Sequence, residues 1–422
     1  MAVDQTAQLR DSFHIYKLRK ELEFLKQKKG FHTELITIFI PPDRDLAQVS
    51  SYLRNEVSES QNIKSKQTRK NVLDSITTLI QRLKMVKAVG PTGLVMMAGA
   101  IPQGNAPGTE RMEVFIIEPP EPIRTFKYHC ASQFLTEPIE QMLVDKNLYG
   151  IIVVDHKECA IGWIRGTHLN VVRKMTSGVF GKFRAGGQSQ RRFERIREEG
   201  IHAFYERVAE ASNSIFLEMP DLKGIFIGGP GMSKDDFAAS GMLDYRLQEK
   251  VIANIDTDSA GEDGIRSLLF RAQDRLKDVR YVEEKQIMQK FLGRLAKDSE
   301  LITYGEADVR EALIHGKVET LLISETLDTY RVRIKCGSCG YTEEHTTKED
   351  KIPEIEEKVR TQECPQCKTL QLGLDQKIPA AEELGELAES MNTEVQMISI
   401  DTDEGQTLKL TFGGIAAFLR YA

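Results

Sequence analysis

Three consecutive residues, Gly186-Gly187-Gln188, combine properties that a reactive loop tip needs at a crowded site. Adjacent glycines permit positive φ angles and present bare backbone to whatever approaches. The glutamine adds one acceptor and two donors on a neutral side chain. Basic residues lie on both sides of this tip: Lys182, Arg184, Arg191, Arg192, Arg195 and Arg197. An uncharged tip on a basic collar suits a site made of nucleic acid; an exposed loop before a helix is the plainer interpretation.

A second polar stretch, Asn62-Ile63-Lys64-Ser65, lies between two predicted helices at 46–57 and 66–86. Further basic residues, Lys66, Arg69 and Lys70, follow it closely. Two interpretations are open at this point: a helical hairpin with a solvated basic end, or a tip that contacts RNA.

A third stretch begins at Tyr128 and places an aromatic ring, a thiol and a second ring at Tyr128, Cys130 and Phe134. Single bases are recognised by stacking and by hydrogen bonds to their edges, so these residues could line a base-sized pocket. A packed strand edge is the alternative.

Four of the six cysteines form two Cys-x-x-Cys pairs, Cys336/Cys339 and Cys364/Cys367, separated by 24 residues. Two such knuckles at this separation predict a structural zinc ribbon with Zn²⁺ bound by four thiolates. A site with four protein ligands has no open position, so catalytic metal chemistry is not expected there.

Composition and charge narrow the class of protein. The 422 residues predict several domains. The sequence has 41% hydrophobic and 28% charged residues, with no apolar run of about 18 residues. The N-terminus lacks an apolar signal core, so a cytoplasmic location is expected. Residues 281–422 carry 17 Lys+Arg against 27 Asp+Glu, whereas the rest has a net charge of +4, which suggests different partners for the two parts.

Hydrophobic patterning predicts an α/β multidomain chain. An α+β domain is expected at 1–144, with helices at 4–29, 46–57 and 66–86 and strands at 33–40, 93–101 and 111–117. At 145–278, strands at 150–155, 158–164 and 169–175 precede a helix at 189–217, strands at 224–227 and 251–255 and a helix at 264–276. This order predicts a ribonuclease H-like α/β sandwich. The long helix is expected to bury a stripe: Phe193, Ile196, Phe204, Val208, Ala211 and Ile215.

An α/β/α domain is expected at 279–422, with the zinc ribbon inserted at about 331–372. Its predicted helices lie at 283–297, 307–314 and 380–391, and its predicted strands at 318–324, 395–400 and 407–410.

A metal-dependent nuclease is one rival for the middle domain, because its predicted topology is typical of such enzymes. Asp155 and Glu158 lie near predicted strand ends, but the sequence offers no group of three or four carboxylates for a two-metal site. The Gly228-Gly229-Pro230-Gly231 stretch lacks the Gly-Lys-Ser/Thr ending of a phosphate-binding loop.

Together, the Asn62–Ser65 turn, the Tyr128-x-Cys130-x-x-x-Phe134 segment and the Gly186-Gly187-Gln188 tip resemble class I peptide chain release factors of the archaeal and eukaryotic type. The resemblance covers essentially the whole chain, including Phe412-Gly413-Gly414-Ile415, and the paired cysteine knuckles favour the archaeal branch. It implies that the first domain recognises a stop codon in the ribosomal A site. The residues it assigns to codon recognition are Thr33, Glu56, Asn62, Ile63, Lys64, Ser65, Tyr128, Cys130 and Phe134. The sequence departs from the eukaryotic pattern at His32-Thr33-Glu34, where those members have Gly-Thr-Ser.

The same resemblance implies that Gly186, Gly187 and Gln188 trigger hydrolysis of the peptidyl-tRNA ester at the peptidyl transferase centre. Lys182, Arg184, Arg191 and Arg192 would contact RNA. No general base lies near the tip, so the protein is expected to activate hydrolysis on the ribosome and not to act as a free-standing hydrolase. The third domain would bind a translational GTPase of the elongation-factor type, as a heterodimer, and a ribosome-recycling ABC-type ATPase.

Two further alternatives have distinct signatures. A ribosome-rescue factor of the Pelota type would share the middle and C-terminal folds but lack both the Gly-Gly-Gln tip and the Asn-Ile-Lys-Ser turn, which are present here. An RNA-binding scaffold would tolerate changes at the tip.

Overall fold

The computed structural model describes residues 11–103, 109–180, 188–276, 279–297 and 299–421, with the backbone alone at 188–190 and 274. Two compact units make up the chain. The first unit comprises Met1–Val144, Glu382–Glu389 and Glu394–Met397, and the second comprises Asp145–Ala381, Ser390–Thr393 and Ile398–Ala422. Among the helices in the described ranges, none has both the length and the apolar composition that crossing a bilayer requires.

The N-terminal part of the first unit is a four-stranded antiparallel sheet with helices on both faces. Its elements are α1 (Ser12–Gln27), β1 (Leu35–Ile40), α2 (Leu46–Ser60), α3 (Lys66–Leu83), β2 (Leu94–Pro102), β3 (Glu110–Ile117), β4 (Lys127–Ala131) and α4 (Glu137–Leu143). The strand order is β3-β2-β1-β4. Every residue of β1 is buried, because helices cover both of its faces. The α+β prediction for this region is therefore confirmed.

The helices α2 and α3 form the hairpin that the sequence predicted, and both begin at side-chain caps. Asp45 accepts a hydrogen bond from the Ala47 N–H, and Ser65 accepts one from the Thr68 N–H. Such caps satisfy backbone donors that have no partner inside the helix. The helix α3 ends at Leu83, three residues before the predicted end.

The second unit begins with a five-stranded sheet. Its elements are β5 (Leu148–Val154), β6 (Glu158–Arg165), β7 (His168–Thr176), α5 (Gln188–Phe216), β8 (Leu222–Gly229), α6 (Ser233–Ala239), α7 (Tyr245–Gln248), β9 (Val251–Asp256) and α8 (Glu262–Arg271). The order β7-β6-β5-β8-β9, with β8 and β9 parallel to β5, is that of the predicted ribonuclease H-like sandwich. Phe204 and Val208 of α5 pack on one face, and Ile265 and Leu268 of α8 pack on the other.

The predicted buried stripe of α5 is wrong for its first turns. Phe193 and Ile196 are 56% and 52% exposed, whereas Phe204, Val208 and Ala211 are buried. Helical spacing alone does not reveal how far along a 29-residue helix the sheet supplies cover.

The C-terminal region of the chain adds a second α/β arrangement and an inserted module. The elements are α9 (Arg280–Lys297), β10 (Ile302–Tyr304), α10 (Glu306–Ile314), β11 (Val318–Ser324), β12 (Thr329–Cys336), β13 (Thr342–Lys348), α11 (Ile352–Thr361), β14 (Leu372–Pro379), α12 (Ala380–Ser390), β15 (Glu394–Ile398), α13 (Asp403–Thr411) and β16 (Ile415–Leu419). The strands β10, β16 and β11 lie side by side in that order, over a core that includes Phe291, Leu322 and Phe418. The module is the sheet β13-β12-β14 with α11.

One C-terminal prediction is wrong: residues 407–410 are helical and not a strand. They belong to α13, whose start is capped by the Thr402 hydroxyl accepting from the Gly405 N–H at 3.0 Å. Leu408 is buried and Leu410 is 82% exposed. Residues two apart would share one face of a strand, so this difference fits a helix.

Helix α1 packs against late residues of the chain within the first unit. The Phe13 ring is fully buried and lies against Gly385 of α12, where any Cβ atom would overlap it. The Ser12 hydroxyl accepts from the Met397 N–H at 3.0 Å and donates to the Val395 carbonyl at 3.3 Å. The first unit is thus built from both ends of the sequence.

Candidate functional site

The Asn62–Ser65 turn joins α2 to α3 and presents polar side chains to solvent. Asn62, Lys64 and Ser65 are exposed, whereas Ile63 is half-buried and packs on the core beneath the two helices. Backbone hydrogen bonds from Asn62 N to Glu59 O (3.1 Å) and from Ile63 N to Ser60 O (3.2 Å) continue the end of α2 into the turn. Ile63 therefore anchors a turn whose other side chains face outward.

Two side chains of α3 hold this turn from the other side. The Thr68 backbone N–H and hydroxyl both donate to the Ser65 hydroxyl, at 3.3 and 2.9 Å. Nη1 of Arg69 lies 3.4 Å from the Ile63 carbonyl oxygen and 3.5 Å from that of Gln61. The shape of the turn is thus fixed by the first turn of the helix that follows it.

Glu56, Tyr128 and Cys130 meet on one face of the sheet. Tyr128 and Cys130 alternate along β4, opposite Ile38 and Ile36 of β1, and both pack on the core shared with α2. The Tyr52 ring of α2 lies 6.0 Å from the Tyr128 ring. The structure therefore brings together three of the residues that the sequence assigned to codon recognition.

The Tyr52 and Tyr128 hydroxyls and the Cys130 thiol keep their protons in this cluster. Burial, followed by a hydrogen bond with Glu56, raises the pKa of Tyr52 to about 12. Burial also raises the pKa of Tyr128, and it raises the pKa of the Cys130 thiol to about 11, with smaller contributions from the charges of Glu56 and Glu34. Two hydroxyls and a thiol that keep their protons are hydrogen-bond donors at neutral pH.

Thr33 adjoins this cluster through its backbone. The Cys130 thiol donates to the Thr33 carbonyl at 3.4 Å, and Thr33 itself is exposed. The next residue, Glu34, is 1% exposed. Its Oε1 accepts from the Phe31 N–H at 2.9 Å and the His32 N–H at 3.4 Å, while its Oε2 accepts from Asn71 Nδ2 at 2.9 Å.

Phe134 does not join the other predicted codon-recognition residues. Its ring is 6% exposed and packs in the core on the opposite face of the sheet. It forms an edge-to-face pair with Phe115 at 5.9 Å. The structure thus places Phe134 as a support for the sheet and not at the surface that Thr33 and Lys64 occupy.

Sequence reasoning missed Tyr52, Glu34 and Asn71. Tyr52 precedes Glu56 by four residues on a predicted helix, and that spacing could have placed them on one face. Glu34 and Asn71 are 37 residues apart, on different elements. No local pattern indicates their contact, which exists only because the fold packs α3 on β1.

The predicted tip lies mostly outside the described residues. Gly186, Gly187, Lys182 and Arg184 fall there, as does the side chain of Gln188, whose backbone begins α5. Arg191 and Arg192 are described and exposed on the first two turns of that helix. Arg195, one turn later, pairs with Glu199 at 3.1 Å.

The four cysteines of the inserted module converge. Their sulfur atoms all lie within 4.8 Å of one another, with 3.6 Å between Cys336 and Cys367 and between Cys339 and Cys364. Zinc–thiolate bonds of about 2.3 Å in a tetrahedron place sulfurs about 3.8 Å apart. The Cys367 sulfur also lies 3.0 Å from the Thr369 hydroxyl oxygen. This donor set fits a structural zinc ion.

Both knuckles have the same backbone form. Gly340 N donates to Cys336 O at 3.0 Å, and Lys368 N donates to Cys364 O at 2.9 Å. The φ angles of Gly340 and Lys368 are +76° and +59°. Lysine therefore occupies, in the second knuckle, the left-handed position that glycine occupies in the first.

Comparisons with known proteins cover the chain in three segments. Family models described as eRF1 domain 1, eRF1 domain 2 and eRF1 domain 3 match residues 13–144, 148–278 and 281–422. A protein of Methanobrevibacter smithii named peptide chain release factor subunit 1 is 44% identical over 410 residues, which are 97% of this chain and 98% of that protein. The protein of the same name from Methanocaldococcus jannaschii is 43% identical over 415 residues, again 97% and 98% of the two chains.

Among solved structures, an archaeal translation termination factor, aRF1, is 29% identical with a TM-score of 0.50, over 96% of this chain and 98% of that one. A structure described only as an archaeal protein is also 29% identical, with a TM-score of 0.57, over 97% and 98% of the two chains.

Proposed function

This chain belongs to the eRF1 family of peptide chain release factors and acts in translation termination, and we propose that it uses two sites, one for the stop codon and one for the peptidyl-tRNA ester. The codon site lies on the first unit around Thr33, Glu56, the Asn62–Ser65 turn, Tyr128 and Cys130. The hydrolysis site is the tip Gly186-Gly187-Gln188 that precedes α5. The observation that carries the proposal is that Ile63 of the turn and Tyr128 and Cys130 of β4 pack on one core, while the Cys130 thiol reaches the Thr33 carbonyl.

At the codon site, exposed Lys64 is suited to the RNA backbone or to the first uridine, since a cation on a rigid turn attracts phosphate. Asn62 and Ser65 present donors and acceptors beside it, and Ile63 anchors the turn. Glu56 can accept hydrogen bonds from exocyclic amines of purines, while the protonated Tyr128 and Cys130 can donate. Thr33 completes the surface, and Phe134 supports it by packing from the opposite face of the sheet.

At the hydrolysis site, Gly186 and Gly187 let the backbone approach the ester without a clash from Cβ atoms. The Gln188 N–H stabilises negative charge that develops on the carbonyl oxygen. The Gln188 side chain orients water or excludes bulkier nucleophiles. Lys182, Arg184, Arg191 and Arg192 contact the surrounding RNA. Proton transfer is left to ribosomal RNA and the tRNA ribose, so the protein activates hydrolysis and is not an esterase by itself.

Cys336, Cys339, Cys364 and Cys367 hold a structural Zn²⁺ ion in this proposal. All four ligand positions are filled by thiolates, so the ion staples the β13-β12-β14 module and takes no part in the release reaction. The core cluster around the cysteines is small, with Ile334, Val359 and Leu372 as its buried aliphatic residues, and small cores depend on such staples.

The ribosome is the site of action, since termination takes place there. We further propose that the acidic region 281–422 binds a translational GTPase of the elongation-factor type as a heterodimer, and a ribosome-recycling ABC-type ATPase. Its net charge of −10 supports a partner surface distinct from that of the RNA-facing sites.

The proposal is tested by release of formyl-methionine from ribosomes programmed with a stop triplet. We expect wild-type protein to release it only on stop triplets. Gly187→Ala and Gln188→Ala are expected to reduce the release rate by about a hundred-fold or more, because each disturbs the backbone donor or the water at the ester. Binding to the same ribosomes should persist. Release of equal rate on sense triplets, or full activity of Gly187→Ala, would overturn the proposal.

A further inference from the structure

A continuous set of hydrogen bonds joins the start of α3 to the loop at 31–33. Gln67 Nε2 donates to Asn71 Oδ1 at 3.3 Å, one turn apart on α3. Asn71 Nδ2 then donates to Glu34 Oε2 at 2.9 Å, and Glu34 Oε1 accepts from the Phe31 and His32 N–H groups. The Asn71 and Glu34 side chains are both buried, at 6% and 1% exposure.

The two ends of this network belong to different parts of the proposed codon site. At one end, Ser65 caps the start of α3, so any shift of α3 moves the Asn62–Ser65 turn that its first residues hold. At the other end, the Glu34 carboxylate fixes the backbone immediately before Thr33. A single buried contact, Asn71 to Glu34, therefore connects the two exposed segments.

The Glu34 carboxylate is suited to joining the 31–33 loop to α3. A carboxylate presents two acceptor oxygens, and here each oxygen serves a different element. Burial of such a group is costly unless its acceptors are satisfied, and three N–H groups satisfy them. The aliphatic part of the Glu34 side chain is also closely packed, since a Cβ atom at Gly30 would lie 3.0 Å from the Glu34 Cγ. A shorter hydroxyl side chain at position 34 would not reach α3.

We propose that Glu34 and Asn71 are positioning residues that hold the 31–33 loop in register with the Asn62–Ser65 turn, and that this register sets the affinity and selectivity for stop triplets. The inference rests on the proposed function, because it takes both segments to face the codon. Neither residue touches the RNA; each acts through the segments that it holds.

Exchanging the carboxylate and the amide between positions 34 and 71 tests this inference. In the double variant Glu34→Gln with Asn71→Asp, the new amide at position 34 donates to the new carboxylate at position 71. That carboxylate still accepts from Gln67, and the amide oxygen at position 34 still accepts from the Phe31 N–H. Every hydrogen bond from Gln67 to Phe31 is kept with one donor and acceptor reversed, and the net charge is unchanged. In contrast, Asn71→Leu keeps the branched shape of the side chain but removes the donor, and Asn71→Ala removes the donor with a smaller side chain.

Release is measured with the protein at a fixed concentration while the concentration of stop-programmed ribosomes is varied. We expect Asn71→Leu and Asn71→Ala to raise the half-saturating ribosome concentration about ten-fold, as for the loss of one buried hydrogen bond to a charged group. The maximal rate should be unchanged, because the tip at 186–188 is untouched. The ratio of rates on stop and near-stop sense triplets should fall, and the double variant should restore both quantities to within about two-fold.

A control separates positioning from simple loss of folding. Leu79→Ala removes a fully buried side chain of α3 that belongs to the core and not to the network. It lowers the folded fraction, which reduces the maximal rate without changing the half-saturating concentration. The inference is wrong if Asn71→Leu and Asn71→Ala behave like Leu79→Ala, or if the folded double variant shows no restoration. Absence of stop-dependent release by the wild-type protein would instead reject the proposed function, and this inference with it.

Discussion

At the scale of single residues, Lys368 shows how a special backbone position is maintained. Its φ of +59° matches that of Gly340 in the other knuckle, and its N–H closes the same turn around the first cysteine of its pair. For a residue with a Cβ atom, this conformation costs about 1–2 kcal/mol. The hydrogen bond to Cys364 and the convergence of the sulfurs hold it there.

We expect Lys368→Gly to stabilise the inserted module by about 1 kcal/mol relative to Lys368→Ala, because glycine has no Cβ clash at positive φ. The two variants both remove the lysine side chain, so their difference isolates the backbone. Thermal denaturation of the metal-loaded protein measures the effect. Equal midpoints for the glycine and alanine variants would show that the turn is not strained.

Residue types at the exposed positions of the codon site were predictable, because turns and helix caps carry local signals. Asn62, Lys64 and Ser65 lie where a polar turn before a capped helix should place them. The buried positions were less accessible to such reasoning. A glutamate such as Glu34 is expected at the surface, since charged side chains are rarely buried, and only its hydrogen bonds with the Phe31 and His32 N–H groups and with Asn71 explain its burial. Phe134 was predicted at the codon site from its place in a motif, but the motif did not reveal which face of the sheet its ring covers.

At the scale of elements, the β13-β12-β14 module with α11 depends on its four cysteines. We expect purified protein to contain one zinc ion per chain. Removal by a strong chelator should abolish amide protection from hydrogen exchange across residues 329–379, since a small core without its metal does not stay folded. Amides of β5 and β8, which lie in a separate sheet, provide the internal control. Folded, soluble protein without metal would exclude the zinc assignment.

The packing of α1 on α12 allows a second test at this scale. Gly385→Ala places a methyl group against the buried Phe13 ring, and we expect it to destabilise the first unit by about 1–2 kcal/mol. In a Phe13→Ala background the space is open, so the same change should be neutral or slightly stabilising, as alanine favours helix. Denaturant unfolding of the four proteins in this cycle gives the coupling. Additive effects would mean that Phe13 and Gly385 are not in contact.

Elements with a strong period were predictable, and their long-range contacts were not. The sequence predicted three consecutive strands at 150–155, 158–164 and 169–175, and the structure contains all three as β5, β6 and β7. Residues 407–410 were predicted as a strand because their polar and apolar residues alternate. The Thr402 cap instead starts a helix four residues earlier in the chain. Local propensity was outweighed there by the cap and by the burial of Leu408.

At the scale of the whole molecule, the two proposed sites are assigned to different compact units. The codon site belongs to the first unit, and α5, which follows the tip, belongs to the second. Charge is also divided, with −10 in residues 281–422 and +4 in the rest. The order of the motifs along the chain indicated their separation into two units, whereas the shift in charge at residue 281 falls inside the second unit. The inclusion of 382–389 and 394–397 in the first unit was not predictable, because no sequence pattern links them to α1.

The packing of α1 on residues 382–389 has a consequence for folding during synthesis. Lys17 and Glu386, which form an ion pair at 3.2 Å beside Phe13, are 369 residues apart. At about 5–20 residues per second, roughly 20 to 70 s separate the synthesis of α1 from that of its partner helix. A nascent chain therefore has to keep the Phe13 face of α1 unsatisfied for nearly the whole of its own translation. A message cut short before codon 385 would yield a first unit in which the Phe13 face of α1 lacks its partner helix.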